Sequence, residues 1–122
     1  MRKRINNEIC KLVKKYNNIN ISKTKDECII KLNINDYEIG IVINTHTYPF
    51  RSPRANINDN NYNDFLRGFN IEKYEKITNS NICPCCNSLL CENNWNITIG
   101  ICQIINEIEK NLEIYNKILS MD

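Results

Sequence analysis

From Ile19 to Ile43 apolar residues recur at every second position, as Ile19/Ile21, Cys28/Ile30/Leu32/Ile34 and Tyr37/Ile39/Ile41/Ile43, and nothing else in the chain narrows its fold so far. Successive side chains of an extended chain point to opposite faces, so this period predicts three strands, each with one buried face. The interruptions, Lys25-Asp26 and Asn35-Asp36, are short and turn-prone, and Asn and Asp tolerate the positive φ angles of a tight hairpin. The strands therefore join as an antiparallel meander. A fourth strand, Ala55 to Asn58, is expected after Pro53.

Helical spacing brackets the strands. Over residues 2–16, Ile5, Ile9, Leu12, Val13 and Tyr16 fall on one stripe, with Arg2, Arg4, Lys11, Lys14 and Lys15 on its flanks. From about Thr98, Ile101, Ile104, Ile105, Ile108, Leu112 and Tyr115 form a second stripe, with Glu107, Glu109, Lys110 and Glu113 mostly outside it. Between Asp59 and Ser80, Tyr62, Phe65, Leu66 and Phe69 predict a short helix within a long loop; the cysteines and Trp95 that follow carry no period. The expected fold is a single α+β domain over residues 1–122: helix, four-stranded antiparallel meander, irregular cysteine-bearing segment, helix. At 122 residues such a domain buries enough surface to fold without staples.

Charge and hydropathy then exclude whole classes of function. Sixteen basic against 14 acidic residues, a net charge of +2, is too balanced for affinity built on neutralising phosphates, so no nucleic-acid partner is expected. The apolar runs, such as Ile41–Ile43, fall far short of the roughly 20 residues of a membrane span. Met1-Arg2-Lys3-Arg4 runs into Ile5-Asn6-Asn7-Glu8 rather than an apolar stretch, so no secretory signal and a reducing compartment are expected. Asn and Ile make up more than a third of the chain. Both have AT-rich codons, and the Asn excess reads as mutational bias on solvated positions.

Seven cysteines are not explained that way. Cys83, Cys85, Cys86 and Cys91 fall within nine residues, which marks a local site rather than a secreted disulfide framework. Those four thiolates are enough for tetrahedral zinc, although adjacent Cys85 and Cys86 seldom both reach one ion; Cys83, Cys86 and Cys91 with His46 is another possible set. A redox-labile disulfide among Cys83, Cys85 and Cys91 is a third possibility, and small buried hydrophobes a fourth. Cys10, Cys28 and Cys102 lie on apolar stripes and are assigned to the last. His46 is expected to be a solvated loop histidine.

Two motifs carry a resemblance. Tyr37–Asn44 runs into Thr45-His46-Thr47-Tyr48-Pro49-Phe50-Arg51-Ser52-Pro53, and this resembles the ubiquitin-conjugating enzymes, in which a strand leads into Tyr-Pro-Phe-x-x-Pro and the fourth strand. Pro49 and Pro53 fix φ at the crossover and Tyr48 is expected to anchor it in the core. Cys86-Asn87-Ser88-Leu89-Leu90-Cys91-Glu92-Asn93-Asn94-Trp95, followed by a long helix, is similar to the family's catalytic segment, with Trp95 one residue farther on. The family's His-Pro-Asn has no counterpart. Asn79 and Asn81 stand near its place, Asn96-Ile97 replaces the usual Ser-Pro, and the family's last two helices are absent.

The resemblance implies a minimal member, most like those of large DNA viruses, acting in the cytoplasm of an infected host cell or in a virion. Cys86 would take ubiquitin from the ubiquitin-activating enzyme as a thioester and pass it to lysine, with Asn79 or Asn81 as oxyanion donor. Ser88 would stand where members place an acidic residue that orients the lysine. The basic flanks of the first helix would face the activating enzyme, and Phe50 with Ile97 a RING-type ligase. Trp95 is expected to hold the active-site loop against the last helix. The RWD domain shares the turn of Tyr48–Pro53, so an inactive binding module on the same scaffold, or a zinc-stabilised structural protein, is the alternative.

Overall fold

The computed structural model describes residues 2–121 and is α+β. Helix α1 (Arg2–Lys15) leads into β1 (Ile19–Lys23), β2 (Glu27–Ile34), β3 (Tyr37–Asn44), β4 (Arg54–Ile57) and β5 (Asn60–Asn61). Then come α2 (Tyr62–Arg67), α3 (Ile71–Thr78), α4 (Pro84–Asn87) and the long α5 (Ile101–Ser120). The sheet is antiparallel throughout, in the order β1-β2-β3-β4-β5.

Register follows the apolar alternation. Ile30 pairs with Ile41 and Ile41 with Ala55, while Leu32 pairs with Ile39 and Ile39 with Ile57, so one face of three strands is apolar and buried. That face joins Ile5 and Leu12 of α1 and Ile101, Ile104, Ile105, Ile108 and Leu112 of α5 in one core. The helical stripes thus find the surface that the strands need to bury, at about 25 cal/mol per Å² of apolar area removed from water.

The meander has five strands rather than the expected four. Asn35 and Asp36 take φ of 48° and 70° in the β2–β3 hairpin, and Asn58 and Asp59 repeat this with 49° and 66°, returning the chain to β5. The expected short helix and long loop are in fact two helices. Asn61 caps α2 by accepting from the Asp64 amide (3.2 Å), and Asn70 caps α3 by accepting from the Lys73 amide (3.1 Å). Asn79 closes α3 with φ 57°. These asparagines therefore do specific backbone work that the compositional reading did not assign to them. Helix α5 starts at Ile101, the first residue of its apolar stripe and later than the expected start near Thr98, because Asn96 and Gly100 organise the approach: the Gly100 amide donates to Gln103 Oε1 (2.7 Å). No helix among the described residues is long and apolar enough to cross a membrane.

Candidate functional site

Pro84 begins α4 where its missing N–H is not needed, and the Cys83 carbonyl accepts from the amides of Cys86 and Asn87, both at 3.1 Å. Cys83 itself stays extended, with φ −63° and ψ 149°, so its side chain is off the helical screw. The Sγ atoms of Cys83, Cys85 and Cys86 consequently lie within 4.8 Å of one another, Cys83 and Cys85 at 3.5 Å. Adjacent Cys85 and Cys86 therefore do converge, contrary to expectation, and the trio could hold a metal ion. Neither Cys91 nor His46 joins the group. His46 is exposed, its Nε2 2.7 Å from Asp26 Oδ1.

The cluster is held from behind by Glu107 of α5. Its Oε1 accepts from the Leu89 amide (2.6 Å) and its Oε2 from the hydroxyls of Ser88 and Tyr62, both at 2.8 Å. Asn111 donates to the Tyr62 oxygen (2.6 Å). Ser88 is buried by this arrangement, its hydroxyl committed to Glu107. Asn94 donates from Nδ2 to the carbonyls of Cys86 (2.8 Å) and Ser88 (2.9 Å). Trp95 packs on Tyr48 with ring centroids 6.2 Å apart and donates from Nε1 to the Pro49 carbonyl (2.9 Å). It thus ties the cysteine segment to the Tyr48-Pro49 turn. Tyr48 is buried, as expected.

Replacing Glu107 by Ala strands the Leu89 amide and two hydroxyls. The expected result is lost hydrogen-exchange protection at Leu89, with the central strands protected as before; unchanged protection at Leu89 would rule out this clamp.

Cys86 is exposed and opens on a groove of about 330 Å³, bordered also by Ser52, Arg54, Tyr62, Arg67 and Cys91. S–H donation from Cys86, the Cys86 amide and Cys85 hold the Cys83 thiol below the usual range. The same contacts with Cys83 and Cys85 push the Cys86 thiol up to about 12. Cys83 therefore gives up its proton before Cys86 does.

Asn79 and Asn81 are exposed and do not border this groove. Cys28 is buried, which pushes its thiol up, and Cys102 is half-buried; Cys10, expected on an apolar face, is exposed instead. Phe50 and Ile97 are exposed, at 72% and 50%. Sequence reasoning missed Glu107 and Asn94: Glu107 sits off the apolar stripe of α5, and Asn94 is one of many asparagines. Against family models, curated proteins and solved structures, the chain has no match.

Proposed function

We propose that the chain is a ubiquitin-conjugating-type enzyme that carries ubiquitin as a thioester on Cys86 and transfers it to lysine. The observation that carries this reading is an exposed thiol, on a turn anchored by Glu107, Asn94 and Trp95, opening on a groove of about 330 Å³. Rigid support of the nucleophile's backbone is what positioned acyl transfer needs.

In the proposed step Cys86 Sγ attacks the carbonyl carbon of the thioester between ubiquitin and the activating enzyme. A new C–S bond forms, the tetrahedral oxyanion collapses, and the activating enzyme's sulfur leaves. The Cys86 proton passes first to the Cys83 thiolate beside it and finally to the departing sulfur. A lysine amine then attacks the new thioester, forms the isopeptide bond and releases Cys86. The side chains of Asn79 and Asn81 make no hydrogen bond to the cysteine segment, so their proposed service as oxyanion donors requires that loop to approach on substrate binding. Exposed Phe50 and Ile97 are the proposed contacts for a RING-type ligase.

The second reading is a binding module without this chemistry, its cluster stabilised by zinc. It is favoured by the Cys86 thiol's being held protonated.

The two separate in a reaction containing ubiquitin, activating enzyme, ATP and a chelator, resolved without reductant. A thiol-labile ubiquitin adduct is expected on the wild type and on Cys10→Ala, none on Cys86→Ala, and a thiol-resistant ester on Cys86→Ser. No wild-type adduct, or one that survives Cys86→Ala, would overturn the enzymatic reading.

A further inference from the structure

We infer that Cys83, Cys85 and Cys86 form an open three-thiolate site for a thiophilic d10 cation such as zinc, and that its occupancy switches off transfer by taking the Cys86 sulfur. The second half rests on the function proposed above; the first does not. Three Sγ atoms within 4.8 Å of one another suit metal–sulfur bonds of about 2.3 Å, and thiolates select soft ions. Among the described residues no histidine, cysteine or carboxylate atom supplies a fourth ligand to the group. Structural zinc sites are closed by four protein ligands, whereas three with an open position characterise sites that exchange a ligand.

Nor does the local fold depend on a metal. The segment is already fixed by Glu107 on Ser88 and Leu89, by Asn94 on the Cys86 and Ser88 carbonyls, and by Trp95 on Pro49. Among the described residues no buried side-chain nitrogen or oxygen lacks a partner. The thiols sit on the outer side of this frame, Cys86 exposed and the other two half-buried, so an ion can enter and leave without unfolding anything.

Binding one Zn²⁺ sends the remaining thiol protons to solvent and leaves three zinc–sulfur bonds. One of those sulfurs is the proposed nucleophile. A sulfur bound to zinc has its lone pair engaged, and a sulfur bound to an acyl carbon is a poor ligand, so the two states exclude each other.

The test uses the full chain, reduced and stripped of metal. After addition of Zn²⁺ and gel filtration, one zinc per chain is expected. Alkylation of Cys83, Cys85 and Cys86 by iodoacetamide, read at each cysteine by peptide mass spectrometry, should slow about tenfold or more because the free thiolate is the reactive form. Exposed Cys10 serves as the internal control and should be unaffected. No retained zinc, or slowing that is equal at Cys10, overturns the site. Cooperative loss of the fold with chelator overturns its exchangeable character and returns the cluster to a structural one.

For the exclusion, wild-type thioester yield should fall about tenfold on zinc saturation and recover with chelator, as expected when one thiolate serves as both ligand and nucleophile. In Cys85→Ser, which lacks one ligand, the ratio of yield with zinc to yield without should rise toward one. A yield that ignores zinc in the wild type, or falls equally in Cys85→Ser, overturns the exclusion. Zinc protection of the three thiols without any thioester in chelator leaves the metal site standing and defeats the conjugating reading instead.

Discussion

Glu8→Ala is expected to destabilise the fold by about 2–6 kcal/mol, the sum of two buried donors stranded at about 1–3 kcal/mol each. Glu8 belongs to α1 and is buried, yet its carboxylate is used by two other parts of the chain. Oε2 accepts from the Tyr48 hydroxyl (2.6 Å), and Oε1 from the Ile101 amide (2.9 Å), the first of α5. Arg4, one turn earlier, lies 3.6 Å from Oε2 and supplies the counter-charge. A negative group at the amino end of α5 also opposes the partial positive charge of the helix terminus.

The fit is close: a Cβ on Gly100 would stand 2.6 Å from Glu8 Oε1, so any side chain there would push the carboxylate aside. Urea unfolding monitored through Trp95 fluorescence measures the loss. Glu8→Gln should lose much less, because the amide can accept from Ile101 and donate to the Tyr48 oxygen. An Ala variant within about 0.5 kcal/mol of the wild type, the range of an ordinary surface substitution, would show that the carboxylate is not the link argued for.

Glu8 also shows which part of the fold can be read from sequence. Alternation from Cys28 to Ile43 and the stripes of α1 and α5 report where apolar side chains must point, and the burial of those strands and helices follows them except at Val13, expected on the α1 stripe but exposed. Periodicity says nothing about which carboxylate among charged neighbours will find donors. Glu107 lies off its apolar stripe and Glu8 on the buried side of its own, three residues after Ile5 and four before Leu12, yet each proves to tie elements far apart in sequence. Strand β5 has two exposed asparagines and hence no alternation to detect. The Asn58-Asp59 turn before it is visible only by analogy with Asn35-Asp36.

At the site, the crowding of four cysteines within nine residues was legible, but the grouping was not. It depends on Cys83 remaining extended ahead of Pro84, a backbone choice that brings its sulfur to Cys85 and leaves Cys91 outside. The groove needs α2 and β4 side by side, and α2 is set by the hairpin that the asparagines conceal.

Above pH 10 the same two carboxylates should make the fold fail steeply. Tyr48 and Tyr62 are buried, and each donates its hydroxyl to one of them, Glu8 and Glu107. Burial first, and then the adjacent negative charge, raise both phenols above the ordinary value of 10.0. In the unfolded chain the phenols ionise near pH 10; in the folded chain they stay protonated well beyond it. The unfolded state therefore binds fewer protons as pH rises past 10, and stability falls. Below that pH their contribution is fully present and independent of pH. Two protons correspond to a slope of about 2.7 kcal/mol per pH unit.

Tyr16, raised in the same direction by partial burial and by Glu109, adds a smaller, solvent-screened share. Urea midpoints between pH 8 and 11 measure the slope. The Tyr48→Phe/Tyr62→Phe double variant, though less stable at pH 7, should lose most of it. A slope unchanged in that variant would mean the phenols are not responsible.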